Sequence, residues 1–207
     1  MSDLHLTPDF ARAMASPGDG GPAGSVQLVV DAEHQRRVVQ AGMLKAKVSL
    51  AVATADFKAM LVPAAGPGGA ASGGRRGAPS IVAHLVRLAK QGVEVRVLHA
   101  GVPSSAALRE LRGTLPANLT IRRCPRLHAK AVIVDAKAMY LGSANLTGAG
   151  LGAKADARRN IEWGVWTESS ELIDAVLQQF NALWEGERCT GCGRREICPV
   201  PLEEPKL

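Results

Sequence analysis

The feature that most constrains the fold is the run Val48-Ser-Leu-Ala-Val-Ala-Thr54, which is nearly continuous in apolar and β-forming residues. A strand with no polar face must be covered on both sides, so this run predicts a buried central strand. Downstream, Ile81, Val82, Leu85, Val86, Leu88 and Ala89 recur at helical spacing, with Ser80 placed to cap the helix and Gly92 at the position of a C′ glycine. Val93-Glu-Val-Arg-Val-Leu-His99 then alternates as a strand does.

The remaining segments extend this arrangement. Asp31–Ala46 carries Val38, Val39, Met43 and Leu44 at helical spacing, with Asp31 as its expected N-cap. A short helix is expected from Ser104 or Ser105 to Arg112, and a longer one from Ser169, with Leu172, Ile173, Val176, Leu177, Phe180, Leu183 and Trp184 on its buried side. Leu119–Arg123, Ala131–Val134, Met139–Leu141 and Ile161–Trp166 read as strands, and Trp163, Trp166 and Trp184 as core. The fold class expected is α/β, a mixed central β-sheet with helices on both faces in a single domain, followed by a cysteine-containing tail.

Residues 1–30 read as a loose leader, with turn formers over 14–25 and a short helix at 8–15. Residues 31–186 form the expected catalytic domain, interrupted by a flexible Gly/Pro-rich loop at 63–79 that includes Arg75-Arg76. Residues 187–207 form the tail. No segment approaches the roughly 18 apolar residues of a membrane span, and residues 1–25 lack the apolar stretch of a signal peptide. A cytoplasmic protein without stable membrane association is expected. Hydrophobic residues make up 46% and charged residues 21%, the balance of a globular domain. The net charge of +6 suits a polyanionic partner such as nucleic acid or an anionic membrane surface.

The chemistry concentrates in residues 128–145, where His128, Lys130, Asp135, Gly142, Ser143 and Asn145 keep the spacing H-x-K-x4-D-x6-G-S-x-N. His128 and Lys130 flank one residue of an extended segment, so both side chains point to the same side. An imidazole beside an ammonium suits an anionic, phosphate-like ligand. If the two flanking strands form an antiparallel hairpin, the end of the second returns beside the start of the first. Ser143 and Asn145 would then converge on His128 and Lys130.

This spacing resembles the signature of the phospholipase D superfamily, and Asn160 and Glu162 resemble an Asn-x-Glu that members often carry on the next strand. The resemblance covers about residues 35–185. It implies that His128 attacks phosphorus and forms a phosphohistidine, without a catalytic divalent metal. Lys130 and Asn145, assisted by Ser143, would hold the non-bridging oxygens. Glu162 would accept a hydrogen bond from Nδ1 of His128. Asp135 and Gly142 would be structural. The chemistry needs a second histidine, yet the motif occurs once in 207 residues and His5, His34, His84 and His99 lack the following lysine. The resemblance implies a homodimer in which two motifs share one active site. Arg122, Arg123, Arg126, Arg158 and Arg159, with Lys137 and Lys154, are candidates for a basic substrate-binding rim.

The tail reads Cys189-Thr-Gly-Cys192-Gly-Arg-Arg-Glu-Ile-Cys198, a C-x2-C-x5-C spacing, and Cys124 is a candidate fourth ligand. The spacing is similar to the cysteine clamp of some iron–sulfur nucleases and to half of a zinc ribbon. A structural Zn²⁺ site and a [4Fe–4S] cluster are both expected alternatives. The leading functional expectation is a phosphodiesterase, a nuclease acting on DNA or RNA. The alternatives are a phospholipase or phosphatidyl transferase, and a nucleic-acid-binding module without turnover.

Overall fold

Seven strands form one mixed sheet in the order β1-β7-β6-β5-β2-β3-β4. The computed structural model describes residues 25–62, 77–113 and 115–198. The expected helix at 8–15, the leader up to residue 24, loop residues 63–76 and the tail beyond Cys198 lie outside the described residues. In chain order the strands are β1 (Val26–Val30), β2 (Ser49–Thr54), β3 (Glu94–His99), β4 (Leu119–Arg123), β5 (Ala131–Val134), β6 (Ala138–Gly142) and β7 (Trp163–Thr167). Strands β2, β3 and β4 are mutually parallel, and the pairings β2–β5, β5–β6, β6–β7 and β7–β1 are antiparallel.

Helices α1 (Ile81–Lys90), α2 (Ser105–Leu111) and α3 (Ser170–Trp184) begin as expected. The hydroxyls of Ser80, Ser104 and Ser169 accept hydrogen bonds from the backbone N–H groups of Ala83, Ala107 and Leu172. Gly92, at φ +93°, turns the chain out of α1 in a left-handed conformation that a side chain would oppose.

The sheet has a core on each face, and the period-two alternation of β2 supplies both. Leu50 and Val52 point to the first core, built with Val38, Val39, Met43, the α1 stripe and Tyr140. Ala51 and Ala53 point to the second, closed by Ile173, Phe180 and Trp184 of α3. Burying each such large side chain contributes about 1.5–3 kcal/mol. Arg96 and Arg122 lie over the Trp184 ring, 5.6 and 4.6 Å from its centroid, covering the outer end of this second core. Among the described residues, no helix is long and apolar enough to cross a membrane.

Three expectations are corrected here. Val26–Val30 belong to the sheet, pairing residue by residue with β7, so the ordered domain starts before residue 31. The segment after β1 is π-wound over His34–Gly42 with a 3-10 turn at Met43–Lys45, and Asp31 is not its cap. Asp31 has φ +43°, and its carbonyl accepts from the His34 backbone N–H instead. Trp163 is 68% exposed, because the alternation that buries Gly164 turns its neighbour outward; Trp184 is buried as expected.

The β5–β6 turn carries Asp135 and Ala136 at φ +54° and +51°, closed by a bond from the Lys137 N–H to the Val134 carbonyl. A β-carbon in this conformation costs about 1 kcal/mol. Ala136→Gly is therefore expected to stabilise the protein by up to about 1 kcal/mol, read as a raised midpoint in urea with an unchanged slope.

Candidate active site

One edge of the sheet collects the chemistry. The parallel strands β2, β3 and β4 end there, β5 starts there, β6 ends there and β7 starts there. Ala53 pairs with Ala131 and Ala131 with Leu141, so Thr54, Lys130 and Gly142 meet at this edge. The Gly142 N–H donates to the Lys130 carbonyl at 3.1 Å, continuing the hairpin one residue past its last pair. The expected return of the second strand beside His128 and Lys130 is what the register produces.

His128 is exposed, and the Lys130 side chain is 8% exposed. The ammonium of Lys130 lies 3.2 Å from Nδ1 and 3.1 Å from Nε2 of His128, against the ring, and donates to the His128 carbonyl at 2.8 Å. Burial pushes the Lys130 ammonium below its ordinary range, while the charge of Glu162 pulls it back up. A cation held in a partly dry setting beside an exposed imidazole is suited to receiving an anion.

Asn145 is fixed through its oxygen. Oδ1 accepts from Thr54 Oγ1 at 3.2 Å and from the N–H groups of Ala55 and Asp56, each at 3.0 Å. Three donors on one oxygen set the amide orientation and turn its Nδ2 into the donor end. Ser143 Oγ donates to Glu162 Oε2 and accepts from the Trp163 N–H at 3.1 Å. Asn160 Nδ2 donates to Glu162 Oε1 at 3.0 Å. Both oxygens of the buried Glu162 are thus engaged, and the expected bond from His128 to Glu162 is not formed; Glu162 holds Ser143 and Asn160 instead.

A buried relay that sequence reasoning missed stands behind these groups. The carbonyl of Asp31 can only accept, so His34 Nδ1 donates to it at 3.0 Å. Nε2 lies 3.0 Å from the Tyr140 hydroxyl and, with Nδ1 donating, accepts from it in the neutral ring that burial favours by lowering the His34 pKa. The same hydroxyl oxygen accepts from the Ala144 N–H at 3.1 Å, pinning the segment between Ser143 and Asn145. Burial, partly opposed by the Ala144 bond, raises Tyr140 to about 12. Gly142 and Gly164 face each other across β6 and β7, and a β-carbon at either would collide with the Tyr140 ring or hydroxyl. Two glycines at opposed strand positions, beside the chain's one tyrosine, were the available sequence signal.

The other expected residues separate. Asp135 lies at the far end of the β5–β6 hairpin from His128. Its Oδ1 accepts from the N–H groups of Lys47, Val48 and Ser49 at 3.0, 2.8 and 3.0 Å, tying the hairpin turn to the start of β2. Lys137 shares that end, so it is no part of a rim around His128; the hairpin length separates them. Arg122 donates to the Trp184 carbonyl at 2.7 Å and Arg123 to the Ala100 carbonyl at 3.0 Å, so each guanidinium ties a neighbouring segment to β4. Arg159 pairs with Asp156, and Arg158 is exposed on the same β6–β7 loop. Arg126 is exposed and borders, with His128, a cavity of about 230 Å³. All four cysteines line that cavity too, and none forms a disulfide. Among the described residues, no three His, Cys, Asp or Glu side chains are spaced to hold a single metal ion.

Two outcomes follow from these contacts. Tyr140→Phe leaves the Ala144 N–H and His34 Nε2 without their shared partner, at a cost of about 1–3 kcal/mol in chemical denaturation. For Asp135, burial raises the carboxyl pKa but the Ser49, Val48 and Lys47 N–H groups and Lys137 outweigh it, and the net shift is downward. A depressed carboxyl contributes stability that is complete above its unfolded value of about 4 and is lost as pH falls through its folded value. The Tm gap between the wild type and Asp135→Asn is therefore expected to be largest above about pH 4 and to close in more acidic buffer.

Comparison with known proteins places this geometry. The family described as cardiolipin synthase, PLD-like domain, matches residues 77–184. A search of curated proteins returns no significant match. Nuc from Salmonella typhimurium, a phospholipase D family member, superposes with a TM-score of 0.56 at 23% identity, covering 78% of this chain and 95% of Nuc. NucT from Helicobacter pylori superposes with a TM-score of 0.56 at 17% identity, covering 78% of this chain and 96% of NucT. At such identities these structures share the fold with this chain. The family match spans more than half of the sequence and contains the whole edge from His128 to Glu162, and the chain belongs to the phospholipase D-like family.

Proposed function

We propose that this protein is a phosphodiesterase that hydrolyses nucleic acid through a phosphohistidine on His128. The observation that carries the reading is the exposed His128 ring with the Lys130 ammonium against it, at the edge where Asn145 and Ser143 are fixed. In the first displacement, His128 Nε2 forms a bond to phosphorus and the bond to the leaving oxygen breaks, a proton going to that oxygen. Water then attacks phosphorus, gives up a proton and releases the imidazole. Lys130 and the Asn145 Nδ2 end stabilise the charge on the non-bridging oxygens.

The proton for the leaving oxygen calls for a second imidazole. We assign it to His128 of a second copy of this chain, since the H-x-K pair occurs once in the sequence. Ile161 and Trp163, 82% and 68% exposed, flank Glu162 and supply apolar surface at the same edge for such a partner. Arg126 and Arg158 are exposed, and the net charge of +6 favours a nucleic-acid substrate over a neutral one.

Incubation in EDTA with DNA, RNA and a phospholipid is expected to show cleavage of nucleic acid. His128→Ala should lower the rate by at least about a thousandfold. Titrating the wild type with excess His128→Ala chains should depress activity more steeply than the wild-type fraction falls. Cleavage of phospholipid alone would overturn the substrate reading. An active monomer, or activity proportional to wild-type chains, would overturn the shared site.

A further inference from the structure

The cavity beside His128 gathers every cysteine of the chain, from two places far apart in sequence. Cys124 follows β4, where its N–H donates to the His99 carbonyl at 2.8 Å. Cys198, from the tail, lies with its sulfur 4.0 Å from the Arg123 carbonyl at the same strand end. Cys189 and Cys192 flank a turn closed by a bond from the Cys192 N–H to the Cys189 carbonyl at 3.1 Å, with Gly191 at φ +69°. Arg126, Arg194 and Arg195 line the same cavity as Cys192. Cationic side chains around thiols favour the thiolate form that binds metal.

Burial does not explain why the tail is held here. From Glu185 to Cys198, only Cys198 is buried among the described residues, and Ile197 is 55% exposed. So little apolar contact does not offset the entropy of ordering a segment of this length. A bound metal centre supplies that free energy in small cysteine-rich segments.

The space that the thiols surround bears on the kind of centre. A zinc ion needs its sulfurs about 2.3 Å from one point and therefore roughly 4 Å from one another. The side chains here are not gathered in that way and stand around a cavity of about 230 Å³. A cubane cluster binds one thiolate at each of four corners and occupies the space between them. The guanidiniums of Arg126, Arg188, Arg194 and Arg195 on the cavity wall complement the negative charge of such a cluster. We propose that this cavity is the seat of a [4Fe–4S] cluster held by Cys124, Cys189, Cys192 and Cys198. The cluster fastens the tail to the Cys124–His128 segment that delivers the imidazole to the sheet edge. This assignment is independent of the phosphodiesterase reading.

The test uses the full chain, purified without oxygen and then incubated anaerobically with ferrous iron and sulfide. About four iron and four sulfide per chain are expected, with absorption near about 400 nm that bleaches on reduction. Cys124→Ser and Cys198→Ser should each lose most of the iron and expose the tail to trypsin at Arg194 and Arg195. His128→Ala should keep the full spectrum. One equivalent of zinc in place of iron would overturn the proposal. So would wild-type protein that takes up no more iron than the variant lacking all four cysteines. A Cys124→Ser protein with unchanged iron, spectrum and protease resistance would do the same.

Discussion

The antiparallel pairing of β5 with β2 on one side and β6 on the other is the constraint from which the rest of the molecule follows. It sets Ala131 opposite both Ala53 and Leu141, and so brings Thr54, Lys130 and Gly142 to one edge. Side chains alternate along a strand, so a slip of one residue would turn each β5 side chain to the opposite face and move Lys130 out of line with Thr54 and Gly142. The register is held from both ends. At the far end, Asp135 gathers three N–H groups at the start of β2. At the near end, Asn145 gathers Thr54, Ala55 and Asp56. Two polar residues of one motif thereby clamp the same strand at opposite ends.

This gives the motif a division of labour. The His128 ring is exposed with the Lys130 ammonium against it, and Asp135, Gly142, Ser143 and Asn145 hold the backbone around them. Tyr140 shows how deep the platform goes, since its hydroxyl joins the Ala144 N–H on the site side to His34 and Asp31 on the π-wound segment. The glycine of the Gly-Ser-x-Asn stretch makes room for that ring, with Gly164 across from it. A site built this way is rigid because its backbone is held from beneath by buried, directional hydrogen bonds.

Much of the fold was legible. The apolar run of β2, the stripe of α1, the serine caps and Gly92 each have a local cause, and each appears where the sequence places it. The hairpin that unites His128 with Ser143 was legible for the same reason, since strand length and turn position fix which residues return beside which. Strand β1, Val-Gln-Leu-Val-Val, was missed although its residues are β formers, because it follows a run of turn formers and its pairing partner, β7, lies more than 130 residues away. Trp163 was misplaced because an aromatic residue signals burial on average, whereas the pleat of β7 turns this one outward. The surroundings of the basic residues were not legible. Charge is visible in a sequence, but the partners that engage it are not, and Arg122 and Arg123 meet Trp184 and Ala100 only in the folded chain.

By itself the sequence determined the mixed α/β class, the main helices and strands from β2 onward and the spacing of the His-x-Lys and Gly-Ser-x-Asn residues, because these follow from residue type and near-neighbour spacing. Only the tertiary structure decided what each group touches. It turned Glu162 toward Ser143 and Asn160, laid the Lys130 ammonium against the His128 ring, and carried Cys124 to the same cavity as a tail more than 60 residues further on. The physical reason is that hydrogen bonds and ion contacts act over a few ångströms. Strand register, set by burial along the whole sheet, chooses which distant residues come within that range.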